Sequence, residues 1–110
     1  MNFQEYQERA METAIYPGKG DIIGLMYTAL GLGEAGEVQG KVKKVLRDHD
    51  GVVSPELRKE LAKELGDCMW YIAAMCDELG FSMNDIAVSN LAKLKSRQDR
   101  GVLTGSGDNR

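Results

Sequence analysis

Residues Ser54–Gly80 read SPELRKELAKELGDCMWYIAAMCDELG, and this stretch decides the fold. Leu57, Leu61, Leu65, Cys68, Ile72, Met75 and Leu79 recur at the spacing of one helix face. Ser54 is placed to cap the helix, Pro55 suits its first position, and Gly80 suits its end. A helix of about 25 residues is about 38 Å long, against a radius of gyration near 13 Å for a compact domain of this size.

The neighbouring segments repeat the pattern. Upstream, a helix is expected from about Ile22 to Arg47, with Asp21 as its cap and His49-Asp50-Gly51 as its stop. Before it, a helix from about Asn2 to Ile15 ends at Tyr16-Pro17-Gly18-Lys19-Gly20. Downstream, Ser82 with Asp85 opens a fourth helix that runs to about Arg100 and closes at Gly101. No alternating strand pattern interrupts them. The expectation is an all-α chain, a four-helix bundle in one domain over residues 1–110, with Gly101–Arg110 as a loop-like tail.

Composition bounds the function. The chain has 110 residues, 43% of them hydrophobic, and no apolar run approaches a membrane span. The first residues have neither a basic nor an apolar signal region, so a cytoplasmic location is expected. A net charge of -3 gives no support to nucleic-acid binding. One His and two scattered Cys cannot build a zinc site, and Cys68 and Cys76 read as core thiols. The two long helices carry more apolar surface than four segments of one chain would cover. Trp70 stands about 180° from Leu61 on the helical wheel. Both features point to an oligomer; stacking on a nucleotide base is the alternative role of Trp70.

Chemistry concentrates in Gly33-Glu34-Ala35-Gly36-Glu37 and Glu64-Leu65-Gly66-Asp67. Each segment carries carboxylates at i and i+3, about 60° apart, close enough to grip one cation. Glu34 and Glu37 continue the apolar stripe of Ile23, Met26 and Leu30; Glu64 and Asp67 flank the stripe of Leu61. Inward carboxylates need partners, and an all-oxygen donor set favours Mg²⁺, Mn²⁺ or Ca²⁺. One such pair is common among 17 acidic residues in a helical chain; two beside apolar stripes are harder to dismiss. The crowd of Gly31, Gly33, Gly36 and Gly40 implies a close approach of a helix or ligand.

The ordered set Glu34, Glu37, Glu64 and Asp67 resembles the signature of the MazG-type superfamily. LGLGEAGEVQGKVKK and KELGDCMWYIAAM are similar to the segments around that family's two acidic pairs. Asn90-Leu-Ala-Lys93-Leu-Lys-Ser-Arg97 is similar to its N-x-x-K-L-x-x-R, so the resemblance covers about residues 20–100. The ending RGVLTGSGDNR resembles that of short stand-alone members, many of them phage or bacterial.

The resemblance implies a MazG-like bundle, completed as a homodimer or dimer of dimers. It implies Mg²⁺-dependent hydrolysis of an NTP or dNTP to the monophosphate and pyrophosphate, with Mn²⁺ as a substitute. Glu34, Glu37, Glu64 and Asp67 would hold the metal, with Glu37 or Glu64 as the alternative base. Lys93 and Arg97 would hold phosphates and Asn90 a phosphate or the sugar. Lys41 would meet phosphate or form an internal ion pair. Arg110 and Asn109 offer further donors in a tail whose glycines suit an anion, and the tail is expected to pack against the bundle near the carboxylates and help enclose the phosphates. A non-catalytic helical dimer that binds nucleotides or a protein is the rival. A di-iron carboxylate bundle is set aside, because the single His49 does not follow a Glu by three residues.

Overall fold

The computed structural model describes all 110 residues and contains helices but no strand. In chain order the helices are α1 (Phe3–Met11), α2 (Ile22–Gly31), α3 (Ala35–Asp48), α4 (Pro55–Leu79) and α5 (Met83–Asp99). Their starts are capped as the sequence suggests. Asn2, Asp21, Ser54 and Ser82 each accept a hydrogen bond from a backbone N–H two or three residues on. Gly80 closes α4 in the left-handed conformation, with φ of 77°. No helix is long and apolar enough to cross a membrane.

Two expected helices are altered. The first stops at Met11 rather than Ile15. Pro17 disfavours helix at Tyr16, and Ala14 and Tyr16 turn in against Ala74 of α4. The second helix, expected unbroken from Ile22 to Arg47, is split by a 3-10 turn at Leu32–Glu34. At three residues per turn, three such residues rotate all that follows by about 60° relative to a continuous α-helix.

Helix α4 is the hub. It packs against α1, α2, α3 and α5, while α5 touches only α1 and α4. The face of α4 buried within the chain is not the leucine stripe. It is the opposite side, where Ala73 and Ala74 are fully buried and Trp70 is half-buried. Trp70 therefore marks a second contact face, but its own chain fills it: the indole N–H donates to Thr13 Oγ1 at 2.9 Å, and Tyr16 meets the ring edge-on. Leu65, Ile72 and Leu79 of the expected core stripe stay exposed. Cys76 is buried and Cys68 half-buried, both as free thiols, and burial pushes the Cys76 thiol up. Gln7 locks α1 across the α4–α5 turn. Its Nε2 amide donates to Ala73 O at 3.4 Å and Phe81 O at 3.1 Å, and its Oε1 accepts from Met83 N–H at 2.8 Å.

The tail is folded rather than loose. Arg110 donates from its guanidinium to the carbonyls of Val102, Leu103 and Gly107. Gly101, Gly105 and Gly107 take the positive φ values this loop needs. Asp108 docks the loop on α5. Its carboxylate lies 3.0 Å from Lys93 Nζ and 3.3 Å from Arg97 Nη2, and its backbone carbonyl accepts from the same Arg97 nitrogen.

Two outcomes follow from these contacts. Gln7→Leu leaves the Met83 N–H and Phe81 carbonyl without partners, so chemical denaturation should show a loss of about 2–3 kcal/mol. The Asp108 carboxyl is held below the usual carboxylate range by Lys93 first and Arg97 second. A carboxyl lowered by folding stabilises above its unfolded pKa and loses that contribution as pH falls through the lowered value. The amide chemical shifts of Gly105 and Gly107 should therefore hold their folded values at neutral pH and move toward random-coil values below about pH 4. In Asp108→Asn that acid dependence should vanish.

Candidate active site

Three carboxylates meet where α2 and α4 pack. Oxygens of Glu34, Glu64 and Asp67 all lie within 4.8 Å of one another; Glu34 and Glu64 are half-buried and Asp67 is exposed. The 3-10 turn explains how Glu34 arrives there. Helix α2 meets α4 through Gly24 and Thr28, the latter fully buried, and through Gly31. On a continuous helix Glu34 would lie about 60–120° away from that line; the extra rotation of about 60° swings it toward α4. Glu37, three residues on, is still left about 60–120° from that line after the rotation, and it stands exposed on the first turn of α3, outside the trio.

Lys41 follows the same geometry. It points at α4, with its Nζ 3.5 Å from Glu60 and 3.7 Å from Glu64. The internal ion pair weighed from the sequence is thus formed, and the ammonium offsets part of the repulsion among the carboxylates. Two phenols border the trio. Burial raises the Tyr6 hydroxyl, with the Asp67 charge adding to it. Burial also raises Tyr71, followed by its neighbour Tyr27 and the charges of Glu34 and Asp67. Both phenols therefore stay protonated beside the acidic cluster.

The donor set fits a hard dication. Opposite ligands of an octahedral Mg²⁺ lie about 4.2 Å apart at 2.0–2.1 Å bonds, so the trio needs only small side-chain rotations to share one ion. Neither thiol belongs to the cluster, and His49 sits beyond α3. Glu34, Glu64 and Asp67 could hold Mg²⁺ or Mn²⁺ together with waters and phosphate oxygens.

The basic residues of α5 are not brought to this trio within one chain. Asn90 is exposed, and Lys93 and Arg97 are engaged with Asp108 of the tail. Arg97 is only 8% exposed at its side chain, which makes it a tether, whereas Lys93 at 41% can exchange partners. Arg110 holds the tail together from within. Asp108 was not among the residues picked from the sequence. The one available signal is its position after Gly105 and Gly107, where a turn can fold back toward Lys93 and Arg97.

A separate open cavity of about 570 Å³ lies where α3 leads into α4, lined by Lys41, Lys44, His49, Ser54 and Glu60 among others. It adjoins the trio through Lys41, which contacts both Glu60 and Glu64.

The chain is similar to the Gene 37 protein of Mycobacterium phage L5, with 54% identity over 114 residues spanning the full length of both chains. No solved structure matches it. The family model described as the MazG nucleotide pyrophosphohydrolase domain matches residues 25–102, which include both halves of the carboxylate trio and the cations of α5. The chain belongs to the MazG nucleotide pyrophosphohydrolase family.

Proposed function

We propose that this protein hydrolyses a nucleoside triphosphate, NTP or dNTP, with water to the monophosphate and pyrophosphate in the cytoplasm. The observation that carries the reading is the Glu34–Glu64–Asp67 trio on two packed helices of a MazG-family chain. These residues would hold Mg²⁺, which when bound neutralises phosphate oxygens and acidifies the attacking water. Of the two candidate bases, Glu37 and Glu64, the reading assigns that water's proton to Glu37, which lies one turn beyond Glu34 and outside the trio. Glu64 remains a ligand oriented by Lys41. Lys93 exchanges Asp108 for a phosphate, Arg97 anchors the loop beside it, and Asn90 and Arg110 contribute donors to phosphate or sugar.

Surface area supports an oligomer. The single chain exposes 7883 Å², whereas a compact monomer of 12.1 kDa exposes about 6,000 Å². The excess of about 1,900 Å² matches one partner's share of an obligate interface. Its radius of gyration is 17.0 Å against about 13 Å for a compact domain of this length. Leu30 is 79% exposed and Leu91 66%, on helices that present further bare apolar side chains. A partner's α5 would bring its cations toward the trio, which one chain alone does not do.

The rival reading is a non-catalytic nucleotide-binding or protein-binding dimer, and the Lys41 ion pair favours it to the extent that the carboxylates already have a cation. Incubation with a panel of NTPs and dNTPs and Mg²⁺ separates the two. Pyrophosphate should be released in equal amount to monophosphate, and no release from any nucleotide would support the rival. Asp67→Asn and Glu64→Gln should each lower turnover by about 10²-fold or more, as loss of a ligand does, with helicity by circular dichroism retained. In light scattering at micromolar concentration, the protein should run at twice its chain mass or above. An active, clean monomer would refute the assembly.

A further inference from the structure

Glu34 comes from the end of α2, and Glu64 and Asp67 come from α4, so a shared cation requires the two helices to keep one separation and one roll. Mg²⁺ tolerates little departure from its octahedral bond lengths, and misplacing a site by about 1 Å is enough to loosen it. Tyr71 stands at the place that controls this spacing. It lies one turn beyond Asp67 on the same edge of α4 and faces Gly31, one turn before Glu34.

The contact between them is close. A Cβ at Gly31 would fall 2.1 Å from Cε1 and 2.2 Å from Cδ1 of the Tyr71 ring. The ring thus rests on the bare backbone of α2 where that helix gives way to the 3-10 turn carrying Glu34. Glycine is not required there by backbone conformation, since Gly31 has an ordinary helical φ of -61°. Nor is the slot a general property of this glycine-rich helix: a Cβ at Gly33, Gly36 or Gly40 would meet nothing within 4 Å. The ring is also braced from behind. Trp70 meets it edge-on with centroids 5.1 Å apart, and Tyr27 lies at 6.5 Å. Tyr27 stacks in turn on Tyr16, whose hydroxyl donates to Glu78 of α4.

We propose that Tyr71 is a positioning residue: its ring, seated on side-chain-free Gly31, sets the approach of α2 to α4 that keeps Glu34 within ligand distance of Glu64 and Asp67. The proposal rests on the metal reading of the trio. It assigns the spacing to the ring rather than to the phenol hydroxyl.

Mn²⁺ binding to the full chain without nucleotide, followed by electron paramagnetic resonance, tests it independently of turnover. The unaltered protein should bind Mn²⁺ and Asp67→Asn should bind it much more weakly; if the two behave alike, the metal reading fails and the proposal falls with it. Where that reading holds, Gly31→Ala should weaken Mn²⁺ by about 10-fold or more, the scale on which supporting residues tune a metal site. Its helicity should not fall, because Ala favours helix over Gly. Tyr71→Phe should bind within about 3-fold of the unaltered protein, since it keeps the ring. The double variant Gly31→Ala with Tyr71→Leu should recover much of the lost affinity by making room for the methyl group. Tyr71→Ala, which removes the wedge without adding bulk, should weaken Mn²⁺ even if Gly31→Ala fails to fold. Unchanged affinity in Gly31→Ala or in Tyr71→Ala would overturn the role of the ring, and a loss in Tyr71→Phe as large as in Tyr71→Ala would assign it to the hydroxyl instead.

Discussion

Three carboxylates held within 4.8 Å of each other repel, and nothing in a helix's own chemistry keeps them there. Residues 31–71 are organised around that repulsion. A 3-10 turn spends three residues of less favourable hydrogen bonding to rotate Glu34 onto the α4 side. Lys41 is carried by the same rotation to the neighbouring turn of α4, where its ammonium touches Glu60 and Glu64. Small residues at Gly24, Thr28 and Gly31 let α2 approach closely enough for short side chains such as Asp67 to participate. The acidic cluster is therefore a product of helix packing, and its charge is balanced only in part within the chain.

The pairs at i and i+3 made the acidic cluster legible in the sequence, because that spacing survives any helix. Four helical segments and their caps were legible for the same reason: Ser54, Ser82 and Gly80 act through local geometry that tertiary context seldom overrides. On a uniform wheel Glu34 and Glu37 both lie off the line that faces α4. A local overwinding of about 60° decides between them, and no single residue type announces a 3-10 turn. The glycine crowd was a true signal read too broadly, since only Gly31 of the four carries a close neighbour.

Two further features were legible only in part, for a physical reason: which face of α4 the chain fills, and where on the bundle the tail packs. Both faces of α4 are apolar enough to bury, so periodicity could not say which one the chain fills itself. Ala73 and Ala74 fit tightly under α1 and the Tyr16 turn, because small residues allow close packing, and the leucine stripe is left outside. The tail had the composition of a loose end. Its order comes from Arg97, Arg100 and Arg110, whose guanidinium groups satisfy its carbonyls at separations of 3–11 residues. Such hydrogen bonds leave no periodic trace in a sequence.

The small core and the open site have one origin. Only 12 of 110 residues are buried in the single chain, and several of those, including Gln7, Thr28 and Arg97, are polar. Burial of so little apolar surface offsets the conformational entropy of 110 residues poorly. Assembly over the bare faces of α2, α4 and α5 would add apolar burial while covering the walls of the carboxylate trio. Excluding water there strengthens every charge interaction with a bound phosphate. The exposed stripes that weaken the isolated chain are thus the surfaces through which the proposed assembly would tie the stability of this fold to its proposed active site.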